Sequence, residues 1–330
     1  MVCGPSPAIA DPPRGKLGEG SQEPDPEWTG APLGAYAVRV LVTGGSGLLG
    51  SDLVPELRSR GHEVLVPGHR ELDVTSASHL EQLRKDQFQR LDWIINCAAY
   101  TSVDKAESER MAAMKLNAVA PGALGAVAQV IGARLITIST DFVFDGEAQT
   151  PYTESAPTHP IGVYGQSKQM GEVNALRENL GAIVVRTSWL YGANGHCFPK
   201  TMIRAFEAGK SLRVVSDQVG KPTSTVDLAR VLVDIAELKP NPGIYHAAGP
   251  EAMSWFDFAK LSLKTYTETH DLNQDLDLNP VATSEYPTPA KRPAYSVLST
   301  AKIEGLGIAP MRPVIESLIE FCARVGRITS

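Results

Sequence analysis

The stretch GGSGLLG, residues 44 to 50, separates the apolar run VRVLVT from the amphipathic stretch SDLVPELRSRG. Gly44, Gly47 and Gly50 give G-x-x-G-x-x-G, while Gly45, Gly47 and Gly50 also satisfy G-x-G-x-x-G. A strand that turns into a helix over such glycines leaves backbone amides open to a pyrophosphate, which the helix N-terminus further favours. The plainer reading is an ordinary glycine-rich turn. Against it stands the sequence that follows, in which short apolar runs (EVLVP, DWIINCAA, RLITIST, AIVVRTSW) alternate with helical periods. That alternation implies βαβ units, an α/β fold and a doubly wound parallel sheet.

The remaining composition narrows the function. With 330 residues, 43% hydrophobic and 21% charged, the chain can bury a large core. Its 31 basic and 37 acidic residues give a net charge of −6 without blocks of like sign, which favours small-molecule chemistry over a nucleic-acid partner. Cys3, Cys97, Cys197 and Cys322 show no C-x-x-C pair, so reduced thiols are expected rather than a disulfide framework or a zinc site. No His pair has H-E-x-x-H spacing, and no protein-ligated catalytic metal is expected. The apolar stretch 118 to 133 is broken by Pro121, Gln129 and three glycines, so no membrane span is expected. Residues 1 to 36 hold seven Pro and six Gly without a period and read as a flexible tail. They lack the apolar core of a signal peptide and carry five acids, which leaves the cytoplasm as the expected compartment.

Three positions carry candidate chemistry. Past the second apolar run come Pro67, Gly68, His69 and Arg70, where an NAD-specific site would place an acid for the ribose 2′-hydroxyl. Arg70 suits a 2′-phosphate, with a solvated surface charge as the plainer alternative. In VYGQSK, Tyr164 stands four before Lys168 at a helix start, so the two share a face and the ammonium is expected to hold down the phenol's pKa. Chance alone makes such pairs common, and the surroundings must decide. Upstream, the run RLITIST ends at Ser139, Thr140 and Asp141, where the carboxyl end of a parallel strand faces the ligand crevice. A hydroxyl there can polarise a carbonyl, although a β-branched residue satisfying local backbone explains Thr140 equally well.

Taken in order, GGSGLLG, NCAAYTSVDKAE, NAVAPGAL, STDFVFDG, YGQSKQMGE, RTSWLYG, DQVGKPT and KRPAYSVLSTAK resemble the dTDP-4-dehydrorhamnose reductases of the extended short-chain dehydrogenase/reductase superfamily, over residues 38 to 325. The resemblance implies a Rossmann sheet over residues 37 to 188. It implies a smaller α+β substrate domain over 189 to 330, with some segments returning to the sheet. It implies Thr140, Tyr164 and Lys168 as the catalytic trio, Lys168 also holding the nicotinamide ribose. Gly44, Gly47, Leu48 and Leu49 would meet the pyrophosphate, Arg70 the 2′-phosphate, Asp73 and Val74 the adenine, and Ala98, Ala99 and Tyr100 the nicotinamide side. Val103, Asp141, Trp189 and Asp217 fall at substrate positions. For Trp189, Asp217 and Arg292 the plainer readings are a packed aromatic, a turn residue and a surface charge.

The implied activity is NADPH-dependent reduction of the 4-keto group of dTDP-4-dehydro-L-rhamnose, with NADH as a second donor to test. A homodimer and a divalent ion at a subunit contact stay open. Three departures bear on the substrate: Phe142 stands where the family often has Tyr, Gln166-Ser167 replaces Lys-Thr, and Cys197 replaces an Asn before Phe198. The alternatives are another nucleotide-sugar 4-ketoreductase or epimerase of the superfamily, and a non-catalytic subunit resembling the regulatory subunit of methionine adenosyltransferase. TSVDKAE and DQVGKPT, both of enzyme type, speak against the last.

Arg70→Ala is expected to weaken NADPH more than NADH, because only the former carries the 2′-phosphate. Equal losses in a fluorescence titration of the two cofactors would remove Arg70 from the site.

Overall fold

A computed structural model describes residues 37–85 and 90–327. The tail expected over residues 1 to 36 lies outside them. The first half of the chain alternates as its apolar runs require. β1 (Arg39–Thr43) enters the glycine turn, followed by α1 (Gly50–Ser59), β2 (Glu63–Leu65), α2 (Ala77–Lys85) and β3 (Trp93–Asn96). Then come α3 (Val103–Ser108), α4 (Arg110–Met114), α5 (Ala120–Ile131), β4 (Arg134–Thr140), α6 (Val163–Glu178) and β5 (Ile183–Thr187). The second half has shorter strands: β6 (Leu190–Tyr191), α7 (Phe198–Glu207), β7 (Leu212–Val215), β8 (Val219–Gly220), β9 (Thr223–Ser224), α8 (Thr225–Leu238) and β10 (Gly243–His246). It ends with β11 (Met253–Ser254), α9 (Trp255–Thr269), β12 (Leu278–Val281), α10 (Ala301–Glu304) and α11 (Val314–Val325).

Six strands form one parallel sheet in the order β10-β5-β4-β3-β1-β2. β2 lies to one side of β1 and β3 to the other, so the chain reverses direction across the sheet there. Such a reversal opens a crevice at the strands' carboxyl ends. Both faces are covered, which is why β3 reads as an unbroken buried run. One face packs Leu53 and Leu57 of α1 with Leu228 and Leu232 of α8, and the other packs Leu124 and Ala128 of α5 with Ala175 of α6. β10 and α8, from the second half, thus belong to the sheet and its cover. The rest of that half gathers an aromatic core from Tyr191, Phe206, Phe258, Tyr266 and Phe321.

The helical run from Arg110 to Ile131 is continuous, and by length and composition it is long and apolar enough to cross a bilayer. Pro121, Gly122 and Gly125 do not interrupt it, Gly132 ends it in the left-handed conformation, and more than half of its apolar stretch is buried inside the fold. At Lys115–Val119 the helix widens into a π turn, with the Ala120 amide bonded to Lys115 O. Pro121 has no amide to offer Asn117 O four residues back. That carbonyl instead presses on α6 at Gly171, where a Cβ would fall 2.0 Å away.

α11 is fastened to the glycine-turn helix by a buried carboxylate. Arg324 Nη2 lies 2.6 Å from Asp52 Oδ1, and Thr225 Oγ1 donates to Asp52 Oδ2 at 2.5 Å. Arg324→Ala should cost about 1–3 kcal/mol in urea unfolding, because Asp52 keeps only one of these partners. A change within error would mean that solvent replaces the guanidinium freely.

Candidate active site

At the crevice, the glycine turn is shaped for a ligand that approaches backbone. Gly44 has φ 66, and a Cβ there would lie 2.7 Å from Ala98 N, so only glycine lets the turn rest on the loop after β3. A Cβ at Gly50 would lie 2.3 Å from Gly44 O, which closes the turn onto the start of α1. Over exposed Gly47 the space is open: a methyl group added there would meet Gly44 O alone, at 3.1 Å. The amides of Leu48 and Leu49 make no hydrogen bond among the described residues. Free amides at a helix N-terminus under an open surface fit a pyrophosphate.

The other positions expected on the cofactor side follow in chain order. Arg70 is exposed on the turn after β2. Asp73 accepts hydrogen bonds from Thr75 N and Oγ1, both at 2.8 Å, and the Thr75 amide foremost holds its carboxyl below the usual range. Val74 is buried. Ala98, Ala99 and Tyr100 are half-buried on the loop beyond β3. That loop is held by Asn117, the first residue of NAVAPGAL, to which the sequence reading gives no role of its own: in the π turn it accepts from Tyr100 N at 2.8 Å, donates to Tyr100 O at 2.9 Å, and donates to Ser167 Oγ at 3.0 Å. Its signal in the sequence is its place at the head of NAVAPGAL, a polar side chain four residues before Pro121.

The reactive groups meet where β4 ends. Thr140 Oγ1 donates to Asp141 Oδ1 at 3.0 Å, accepts from Phe142 N at 3.2 Å, and sits close enough to Tyr164 to oppose the rise of its phenol's pKa. Tyr164 is half-buried, its ring edge-on to Phe142 with centroids 5.6 Å apart. At Gly165 a Cβ would lie 2.1 Å from Phe142 O, so this glycine sets how closely α6 approaches the threonine. Val163 N donates to Glu107 Oε1 at 2.8 Å, which caps the helix one residue before the tyrosine. Glu107, in TSVDKAE, is a second functional residue that sequence reasoning misses.

The electrostatics differ from the expectation for a Tyr–Lys pair. Burial pushes the Tyr164 phenol up to about 12, opposed by the Thr140 hydroxyl and reinforced by the Asp141 charge. Lys168 is not among the groups that shift it. Its Nζ donates to Ile138 O at 2.6 Å, and burial brings the ammonium down to about 8 while Glu172 and Cys97 push the other way. The two side chains share a helix face, but the lysine addresses the β4 backbone rather than the phenol. Below it, Glu172 forms a buried ion pair with Arg186 (2.7 and 2.8 Å) and accepts from Ser139 Oγ at 2.5 Å. Glu172 lies one further turn along the Tyr164–Lys168 face, a periodicity visible in YGQSKQMGE.

Substrate-side positions fall into two groups. Asp141 is fully buried, accepts from Ser296 Oγ at 2.6 Å, and is pushed up to about 6 by desolvation. Trp189 follows β5, two residues past Thr187, which pairs with Thr140 across the β4–β5 ladder. Val103 opens α3 and is half-buried. The exposed Asp217 instead commits its carboxylate to Thr283, accepting from the amide at 2.9 Å and from Oγ1 at 2.6 Å. Arg292 pairs with Asp104 of α3 at 2.8 Å. Cys197 is buried before α7 and donates its thiol to Gly192 O at 3.6 Å.

Residues 38–326 match the family model described as the RmlD substrate binding domain. The chain is 36% identical over 311 residues to a dTDP-4-dehydrorhamnose reductase of Mycolicibacterium smegmatis, covering 94% of this chain and 92% of that protein. It is 39% identical over 282 residues to a Streptomyces antibioticus protein named "Probable dTDP-4,6-dihydroxy-2-methyloxan-3-one 4-ketoreductase", covering 83% and 91%. Among solved structures, a Bacillus anthracis dTDP-4-dehydrorhamnose reductase in complex with NADP superposes with TM-score 0.80 at 36% identity, covering 87% of this chain and 99% of that one.

The raised pKa of Asp141 has a consequence for stability. Its native carboxyl titrates near 6 against 3.8 as its ordinary value, so between those values the folded state binds more protons than the unfolded one. This group's contribution therefore falls as pH rises through that window. Asp141→Asn, which cannot ionise, should gain melting temperature relative to the parent on going from pH 4 to pH 7. A gap that stays constant in thermal scans would place the carboxyl's pKa near its ordinary value.

Proposed function

The chain belongs to the RmlD substrate-binding-domain family, and on that premise we propose that it is an NADPH-dependent reductase of the 4-keto group of dTDP-4-dehydro-L-rhamnose. The observation that carries this reading is the convergence of Thr140, Tyr164 and Lys168 at the carboxyl end of β4, beside a glycine turn with unbonded amides. When bound, NADPH supplies the hydride. The chain's own residues do the rest. Leu48 and Leu49 amides hold the pyrophosphate, Arg70 the 2′-phosphate, and Lys168 the nicotinamide ribose. Thr140 turns its hydroxyl from Asp141 to donate to the keto oxygen as negative charge develops there, and Tyr164 delivers the proton that makes it a hydroxyl. A phenol near 12 is a reluctant acid toward water. Toward a nascent alkoxide, which is more basic, it is a competent donor. Asp141, Trp189 and Val103 line the sugar side of this reading.

The chain acts in this reading in the cytoplasm, on a soluble nucleotide sugar, with neither nucleic acid nor membrane as partner. A homodimer is part of it, supported by exposed Met111, Val119, Val130, Met170 and Val173 along the α4–α6 surface. The Streptomyces antibioticus relative, named as a 4-ketoreductase of a different dTDP-sugar, supports a second reading with the same chemistry and another hexulose.

The test is direct: follow NADPH oxidation with freshly generated dTDP-4-dehydro-L-rhamnose, and identify the C4 configuration of the product. Tyr164→Phe keeps the ring's packing and should leave NADPH binding intact while turnover falls by about 10²- to 10⁴-fold. A phenylalanine variant that reduces the sugar at the parental rate would reject Tyr164 as the proton donor.

A further inference from the structure

Trp189 occupies a slot with an architecture of its own. Its φ is 47, in the left-handed region that a bulky residue keeps only when its surroundings over-determine it. The indole stacks on Trp255 with ring centroids 3.5 Å apart and planes 7° from parallel. It also lies against Gly220, where a Cβ would fall 2.4 Å from Cε2 and 2.5 Å from Nε1. These two walls have one origin. The β8–β11 ladder pairs Gly220 with Met253 and Val219 with Ser254, and Trp255 follows Ser254 as the first residue of α9. The backbone is clamped from the same side: Ser188 Oγ donates to Lys221 O at 2.7 Å and Thr223 N to Trp189 O at 3.3 Å.

We propose that Gly220 and Trp255 are positioning residues that lock Trp189 as a fixed wall of the sugar pocket and so set the affinity for the keto-sugar. The proposal rests on the reductase reading above. Thr140, Tyr164 and Lys168 are held by β4 and α6, with no part in the slot. Removing the Trp255 ring, or crowding the slot with a methyl group at Gly220, therefore moves the Trp189 ring, while the proton-transfer and cofactor groups stay in place. This gives DQVGKPT a role that does not pass through Asp217: its glycine is the one residue small enough to lie against the indole.

The experiment compares the parent with Trp255→Ala, Trp255→Phe and Gly220→Ala, reading KM and kcat for dTDP-4-dehydro-L-rhamnose, the NADPH Kd by titration, and near-UV circular dichroism. Both alanine variants should raise the sugar KM by about tenfold or more, with kcat and NADPH Kd within about threefold of the parent, and Trp255→Phe should recover most of the loss. Parental sugar KM in folded alanine variants whose indole dichroism has changed would overturn the proposal. So would parallel losses in kcat and NADPH affinity, the mark of a merely structural role. A parent without turnover on this sugar would instead sink the reductase reading, and the proposal with it.

Discussion

Everything at the reactive centre depends on how closely α6 can approach the sheet. Two carbonyl oxygens set that distance, Phe142 O beneath Gly165 and Asn117 O beneath Gly171, each at a spacing where a methyl group would collide. The first puts Tyr164 beside Thr140. The second couples α6 to the π turn, whose Asn117 side chain in turn holds the Tyr100 backbone on the cofactor side. One pair of helix–backbone contacts thus sets the spacing of groups contributed by three separate segments of chain.

Beneath that contact lies a charge arrangement with little access to water. Glu172 and Arg186 are each about 4% exposed or less, and the pair is completed by Ser139 and by His246, whose ring burial keeps it neutral, down to about 3. A buried ion pair is weak evidence for stability, because desolvation offsets most of the attraction. Its geometric effect is clearer. Ser139 and Arg186 belong to β4 and β5, next to Thr140 and Thr187, so the pair ties both strand ends to the helix bearing Tyr164 and Lys168. It also leaves a carboxylate one turn from the lysine, which favours the ammonium against the desolvation around it.

Much of this is legible in the sequence, and what is not has a physical reason. The alternation of apolar runs predicts the parallel sheet because strands covered on both faces must be apolar throughout, as WIIN of β3 is. The i, i+4 spacing predicts that Tyr164 and Lys168 share a face, since helix periodicity is local. It does not reveal which acceptor the lysine chooses: Ile138 O is 30 residues away and comes within reach only after β4 and α6 pack. Glu107 is hidden similarly, being 56 residues from the helix end it caps. The partner of Asp217 is hidden for the same reason, since Thr283, whose amide and hydroxyl donate to its carboxylate, lies 66 residues away.

The return of α8 and β10 to the sheet makes the two halves of the chain inseparable as folding units. A fragment ending near residue 188 would present the flank of β5 that β10 covers, and would strip Leu228 and Leu232 from the face over Leu53 and Leu57. Elements β6 to β9 are therefore an insertion between β5 of the sheet and α8 on its face, and the aromatic core they join is completed by α9 and α11, beyond β10. A segment tethered at both ends to the same layer cannot swing away from it as a hinged door would. In such an architecture, substrate specificity can diverge by editing the insertion, while the cofactor layer keeps its connectivity.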